Sequence, residues 1–269
     1  MRWRLIFDGA GDGFTNMAVD EAILEACIAG EVPPTVRFYR WQPPCLSIGY
    51  FQRAGREVDP DGCRALGVDW VRRPTGGRAV LHDRELTYSV VAREDEPAVS
   101  GSVLESYRKI SAALVAGLRR LGLPAEMAPP RAHSQVVRTA ACFDAPSDYE
   151  VTLYGRKVIG SAQVRRGGAL LQHGAILLEV DLDRQVGVLR LPPGMTREAL
   201  AAQLRSRLIA LGEALGRPLS PEELAAALRA GIEATWGVEL VEGELTPGER
   251  LRAASLREKY RSPAWNERR

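Results

Sequence analysis

The chain has 269 residues, 45% of them hydrophobic, with 36 basic and 34 acidic side chains and a formal net charge of +2. That length suits one large α/β domain with enough buried surface to fold without disulfides or metals. The interspersed, near-balanced charge argues against nucleic acid as the main partner, and no stretch approaches the ~18 consecutive apolar residues that span a bilayer.

The N-terminus, MRWRLIFDGAGDG, carries no apolar run before a small-residue cleavage site, so a cytoplasmic protein is expected. Residues 15–29 show apolar positions at helical spacing, with Thr15 or Asn16 as cap and Gly30 as stop. Cys27 falls on that apolar face and reads as core. TVRFYRW alternates as a strand, LSIGYF follows Pro43 and Pro44, and VDWVRR and AVLHD flank the loop PTGG. LTYSVVA is a further strand. Helix 103–121 opens on the capping box Ser102 and Glu105 and ends near Gly122 and Pro124.

A loop rich in Pro, Ala and Ser covers roughly 124–148. YEVTLY, KVIGSAQV and ALLQHGAILLEV then read as successive antiparallel strands, joined at Gly155 and at Gly167–Gly168. Beyond 195 the chain turns helical, with capping boxes at Ser220-Pro221…Glu223 and Thr246-Pro247…Glu249. The layout is a mixed sheet with helices packed against it and a helical C-terminal segment.

Four places can carry chemistry. In Arg72-Arg73-Pro74-Thr75-Gly76-Gly77-Arg78, paired glycines between strands let backbone approach a ligand and expose N–H groups; a plain Gly-Gly hairpin with solvated arginines fits the spacing equally. Lys157 opens the strand that continues into Gly160-Ser161-Ala162, small residues that leave room beside it. Only three of the 36 basic residues are lysines, so a lysine within a motif points to a need other than charge. Cys142 sits in a loop ahead of that lysine, off any apolar stripe. Cys45 and Cys63 lack such company. None of the four cysteines forms a C-x-x-C pair or has a nearby His, so free thiols and no metal site are expected. Finally, Gln172-His173-Gly174 lies within an apolar strand, where a satisfied core histidine and a ligand contact are both compatible with the pattern.

In order, RRPTGGRAVLHD, GRKVIGSAQ and LQHGAILL resemble the lipoate–protein ligase and octanoyltransferase family, which shares its fold with biotin protein ligases. RFYRWQPPCLSIGYFQ upstream and LREKYRSPAWN near the end extend the resemblance over nearly the whole chain. It implies an α+β fold with a mixed, largely antiparallel sheet flanked by helices. Residues 1–195 would be the acyltransferase core, and 196–269 a helical segment packed on the same domain.

Two departures select a branch. The ATP-dependent ligases of the family resemble one another in a third glycine after the pair, where a nucleotide phosphate approaches; here Arg78 stands there. They also carry an Asn-Asp pair before the lysine motif, whereas this chain has Cys142-Phe143-Asp144-Ala145-Pro146-Ser147. That loop is similar to the single-chain octanoyltransferases that use a thiol.

The resemblance implies a ping-pong transfer without cofactor. Cys142 as thiolate would take octanoyl from octanoyl-acyl carrier protein. A lysine on a lipoyl domain, that of the glycine-cleavage H protein, would then receive it. A nearby ammonium such as Lys157 would enrich the thiolate, and that amine could also take a proton from the attacking amine, as Arg could not. Arg73, Gly76, Gly77 and His82 would line the acyl and carbonyl site, with backbone N–H groups as oxyanion donors. The strands holding Gly160, Ser161, Ala162, His173 and Gly174 would wall the acyl chain. The competing readings are an ATP-dependent lipoate ligase and an amidotransferase between lipoyl domains. A non-enzymatic lipoyl-domain-binding module would lack a nucleophile or lysine, and both are present.

Overall fold

In the computed structural model, residues 1–128 and 150–268 are described; Cys142 and most of the 124–148 loop lie outside them. Strand β1 (Arg2–Gly11) leads into helix α1 (Gly13–Ile28). The cap is Asp12, not Thr15 or Asn16: its carboxylate accepts from the Thr15 amide at 2.8 Å and the Thr15 hydroxyl at 3.0 Å. The Asn16 amide instead donates to the carbonyls of Gly11 and Arg40. Strands β2 (Thr35–Trp41) and β3 (Cys45–Ile48) follow, then the short helices α2 (Ala54–Glu57) and α3 (Pro60–Leu66).

Strands β4 (Asp69–Arg72), β5 (Val80–His82) and β6 (Glu85–Arg93) precede helix α4 (Val103–Arg120), whose Ser102–Glu105 capping box forms in both directions. After β7 (Glu126–Met127) come β8 (Val151–Leu153), β9 (Arg156–Arg166) and β10 (Ala169–Leu177). The β9–β10 turn uses Gly167 and Gly168, both at positive φ, which suits the twist of a two-residue hairpin.

The last part holds α5 (Leu182–Gly187), α6 (Arg197–Arg207), α7 (Leu211–Leu215), α8 (Pro221–Trp236), β11 (Glu239–Glu242), α9 (Pro247–Arg261) and α10 (Pro263–Asn266). Two details differ from the sequence reading. β11 is a strand amid the helices, and it pairs in parallel with β1. Ser220 caps α8, but the Glu223 carboxylate is held by Arg217, so only half of that capping box forms. Thr246 and Glu249 form both halves.

The eight-stranded sheet runs β11-β1-β2-β6-β10-β9-β8-β7. β11, β1 and β2 are parallel, and every pairing from β2 onward is antiparallel. One face carries Val36, Phe38, Leu86, Val90, Leu170 and Ile176 against Ile110 and Leu114 of α4 and Leu224 and Leu228 of α8. α4 and α8 cross where Gly117 meets Gly231, and a Cβ on Gly231 would come within 2.3 Å of the Gly117 nitrogen. The other face is covered by α1, itself covered by α9. α1 is therefore buried nearly all round and not along one stripe.

A second sheet, β4-β3-β5, stands beside the first. β4 is parallel to β3 and β5 antiparallel to it. The two strands around the Gly-Gly loop are thus not a hairpin: β3 lies between them, and the loop passes over its C-terminal end.

Candidate active site

Adjacent arginines at the end of β4 organise the loops. The Arg72 guanidinium, fully buried, donates to six carbonyls: those of Gly49, Tyr50, Gln52, Trp265, Asn266 and Arg268. It ties the end of β3 to the C-terminal helix and has a structural role. Arg73, also buried, donates to the Gly76 carbonyl at 2.6 Å and the Arg78 carbonyl at 2.7 Å, and to the Ser47 carbonyl and hydroxyl at 3.1 Å. Gly77 has φ +86, and Gly49 lies so close beneath it that a Cβ on Gly49 would meet the Gly77 carbonyl oxygen at 2.0 Å. Both glycines are needed for the loop to lie flat on β3.

Beneath this loop is a narrow cavity lined by Arg73 and His82, by Gly160, Ser161 and Ala162 of β9, and by His173, Gly174 and Ala175 of β10, with Met17, Tyr39, Trp41, Ser47, Val80 and Thr87 completing the wall. Seven of the nine expected binding residues therefore share one cavity. Gly76 and Gly77 are not among the lining residues, although Gly77 lies close by: a Cβ there would come 3.8 Å from Ala162. The small residues have distinct reasons. A Cβ on Gly174 would fall 2.6 Å from the Ser161 hydroxyl and 2.7 Å from the Tyr88 ring. Ser161 bonds Tyr88 at 2.7 Å, so its hydroxyl is already engaged.

Both histidines are held at both ring nitrogens. His173 Nδ1 lies 3.0 Å from Asp20 and Nε2 lies 2.7 Å from the Thr75 hydroxyl, which links β10 to the Gly-Gly loop. Asp20, on α1 and fully buried, also accepts from Arg37 and Tyr39 at 2.8 Å and from Ser89 at 3.0 Å. Burial works to raise its pKa, but the bonds and charges of His173, Arg37 and Tyr39 outweigh that and hold it below the usual carboxylate range. His82 lies 2.9 Å from the Ser47 hydroxyl and 3.1 Å from Glu85, stacked on Trp41 with ring centroids 4.0 Å apart. Burial pushes its pKa down, against the opposing pull of Glu85.

Lys157 sits apart from these cavity-lining groups, at the start of β9. Its ammonium is buried and donates to Glu150 at 2.5 Å. Glu150 is the first described residue after the segment that carries Cys142. Of the cysteines, Cys27, Cys45 and Cys63 are buried free thiols. Burial raises all three pKa values, that of Cys63 to about 11. Among the described residues, no group of His, Cys, Asp and Glu is placed to hold a metal, and no helix is long and apolar enough to cross a membrane.

The model of the lipoyl protein ligase A/B catalytic domain matches residues 12–233, and so takes in every residue that lines the cavity. The chain belongs to this family. Within it, the chain is 50% identical over 268 residues to the octanoyltransferase LipM of Kyrpidia tusciae, covering 98% of each chain. Two solved structures of the family share the fold. One is a bipartite lipoate protein ligase from Thermoplasma acidophilum, with TM-score 0.84, 31% identity and coverage of 99% of this chain and 96% of that one. The other is a lipoate-protein ligase A bound with ATP, with TM-score 0.82, 31% identity and 99% of each chain covered.

Sequence reasoning did not find Ser47 and Thr87, which line this cavity, or a role for Asp20, Thr75 and Glu85, which bond its histidines. Asp20, Ser47, Thr75 and Thr87 are short polar residues with a partner distant in the chain, and Glu85 bonds His82 and Thr87 across a tight local bend. The available signal was polarity on the inward side of otherwise apolar strands.

Proposed function

We propose that the chain is an octanoyltransferase of protein lipoylation working through a thioester on Cys142. It takes octanoyl from octanoyl-acyl carrier protein and passes it to the ε-amine of a lysine on a lipoyl domain, that of the glycine-cleavage H protein, in the cytoplasm and without a nucleotide. The observation that carries this reading is the likeness to an octanoyltransferase along the whole chain at 50% identity.

The remaining argument is chemical. Ping-pong transfer needs a thiol that ionises near neutral pH. Three of the four cysteines are buried thiols with raised pKa values, and they stay protonated. Cys142 is left as the nucleophile. Lys157 lies on β9, the second strand after the Cys142 segment, and an ammonium brought close to a thiol favours the thiolate. The cavity supplies an apolar wall from Met17, Trp41, Val80 and Ala175, suited to an acyl chain, with the Gly77 backbone close by for its carbonyl. Arg78 occupies the position at which the ligases keep a third glycine, so bare backbone for a nucleotide phosphate is missing there.

The test is to incubate the pure protein with octanoyl-acyl carrier protein, without ATP or magnesium, and weigh it intact. One octanoyl adduct is expected, labile to hydroxylamine, mapping to the Cys142 peptide and absent in Cys142→Ser. A lipoyl domain added next should discharge it. Transfer of free octanoate or lipoate that needs ATP, with no thioester adduct, would establish a ligase instead.

A further inference from the structure

The resemblance offers Lys157 as the base for the proton leaving the acceptor amine, but its ammonium is held by Glu150, and the cavity contains a second candidate whose hydrogen bonds have a direction fixed from both ends. At one end is Arg73, which can only donate; it donates to the Ser47 hydroxyl oxygen at 3.1 Å. The single proton of Ser47 is thereby left for His82 Nε2, 2.9 Å away. At the other end is the Trp41 indole N–H, also only a donor, which donates to the Thr87 hydroxyl at 2.8 Å. Thr87 in turn donates to Glu85 Oε1 at 2.5 Å. His82 Nδ1, 3.1 Å from the same oxygen, is then the N–H donor to the carboxylate. Nε2 carries the lone pair, directed to a serine hydroxyl that lines the cavity.

We propose that Ser47 and His82, oriented by Glu85, form a proton relay for discharge of the acyl-enzyme. This rests on the thioester reading above. In the step, the neutral amine attacks the thioester carbonyl carbon and the C–N bond forms. The C–S bond breaks and its electron pair leaves on sulfur. The extra proton on nitrogen passes to the Ser47 oxygen as the proton of Ser47 passes to His82 Nε2. The products are the amide, a thiolate and an imidazolium facing Glu85, and the imidazolium returns its proton to water.

Several surroundings favour His82 as this base. Burial lowers its pKa, and Arg73 and His173 act in the same direction, so the ring is neutral and able to accept at pH 7. Glu85 opposes that shift and steadies the charged form as it appears. Its second oxygen is buried with no hydrogen-bond partner among the described residues, which leaves carboxylate charge available to the ring. Trp41 from β2, stacked at 13° to the imidazole, fixes its plane. Ser47 and His82 are the catalytic groups here, and Glu85 is a positioning residue.

The experiment isolates the octanoyl-enzyme and measures its single-turnover discharge by a lipoyl domain and, separately, by hydroxylamine, a weakly basic amine that loses its proton to water unaided. Ser47→Ala and His82→Gln should slow discharge by the lipoyl domain ~100-fold, within the usual range for general base catalysis, and leave hydroxylamine discharge near the wild-type rate. Glu85→Gln should slow it less and move the acid limb of the pH profile to lower pH, because the ring loses the carboxylate that raises its pKa. Ser47→Ala removes one atom, so it keeps the test valid if His82→Gln does not fold. Equal losses with both amines would make the trio merely structural, and no loss with either would remove it from the reaction; both overturn the relay. Failure of the wild-type protein to form an acyl-enzyme would instead overturn the thioester reading.

Discussion

The two faces of the large sheet are built from the same strands and differ in how much buried polarity they carry. On the α4–α8 side, alternate residues of β2, β6 and β10 are Val36, Phe38, Leu86, Val90, Leu170 and Ile176, all buried in one apolar cluster. On the α1 side, the intervening residues include Arg37, Tyr39, Thr87, Ser89 and His173, buried beside the apolar Val91 and Leu171. Apart from the bonds among Tyr88, Ser161, Gln172 and Gln163, the first face is held by area removed from water, which tolerates any apolar side chain of about the right size. The second carries directed bonds converging on Asp20 and Glu85, where removing a partner leaves buried polar groups unsatisfied. A face of this kind is expensive to bury. It makes sense where the cavity needs fixed proton positions.

Breaking the polar face should have the largest effect. Asp20→Ala leaves the Arg37 guanidinium buried with only Asp8 as a charged partner and takes away the acceptor of His173, Tyr39 and Ser89. A loss of about 3–5 kcal/mol is expected for an orphaned buried charge, together with collapse of transfer per folded molecule, read by urea unfolding and by single-turnover discharge. Leu170→Ala on the apolar face should cost about 2–5 kcal/mol as a cavity, yet leave the rates of the remaining folded protein near wild type. If Leu170→Ala damages kinetics as badly as Asp20→Ala, the division of labour between the faces is wrong.

The same contrast explains what was legible in the sequence. TVRFYRW and LTYSVVA are readable as strands because alternation is local, and β2 and β6 span those residues. Alternation ordinarily means that the polar side meets water. Nothing within seven residues reveals that Arg37 and Tyr39 are instead sealed under α1 by an aspartate on that helix. The motif glycines and histidines were legible as a group through resemblance, whereas Ser47 and Glu85 were single letters in CLSIGYF and RELTYS. β11 escaped for a related reason: its four residues are defined by pairing with β1, 237 positions away from Arg2 at Glu239. The Gly-Gly loop also looks like a hairpin locally, and only the insertion of β3 between β4 and β5 shows that it is not.

The smallest expected effect is the sharpest probe of the polar face. Tyr39→Phe deletes one hydroxyl, which donates to Asp20 Oδ2 at 2.8 Å, and keeps the ring that packs against Arg37 and Trp41. A loss of about 1 kcal/mol is expected at neutral pH, typical of one hydrogen bond, and its pH dependence follows from the two groups involved. Asp20 has a folded pKa below its ordinary 3.8, so its bonds contribute fully above that value and fade as pH falls through the folded pKa. Tyr39 has a folded pKa well above its ordinary 10, so its contribution is complete below 10 and is lost as pH rises and the unfolded phenol ionises. The stability gap between wild type and Tyr39→Phe should therefore be flat from about pH 5 to 9 and shrink at both extremes. Urea unfolding across that range measures it. A gap that widens in acid would mean that the hydroxyl serves the protonated carboxyl, and that the polar face is not organised around a charged Asp20.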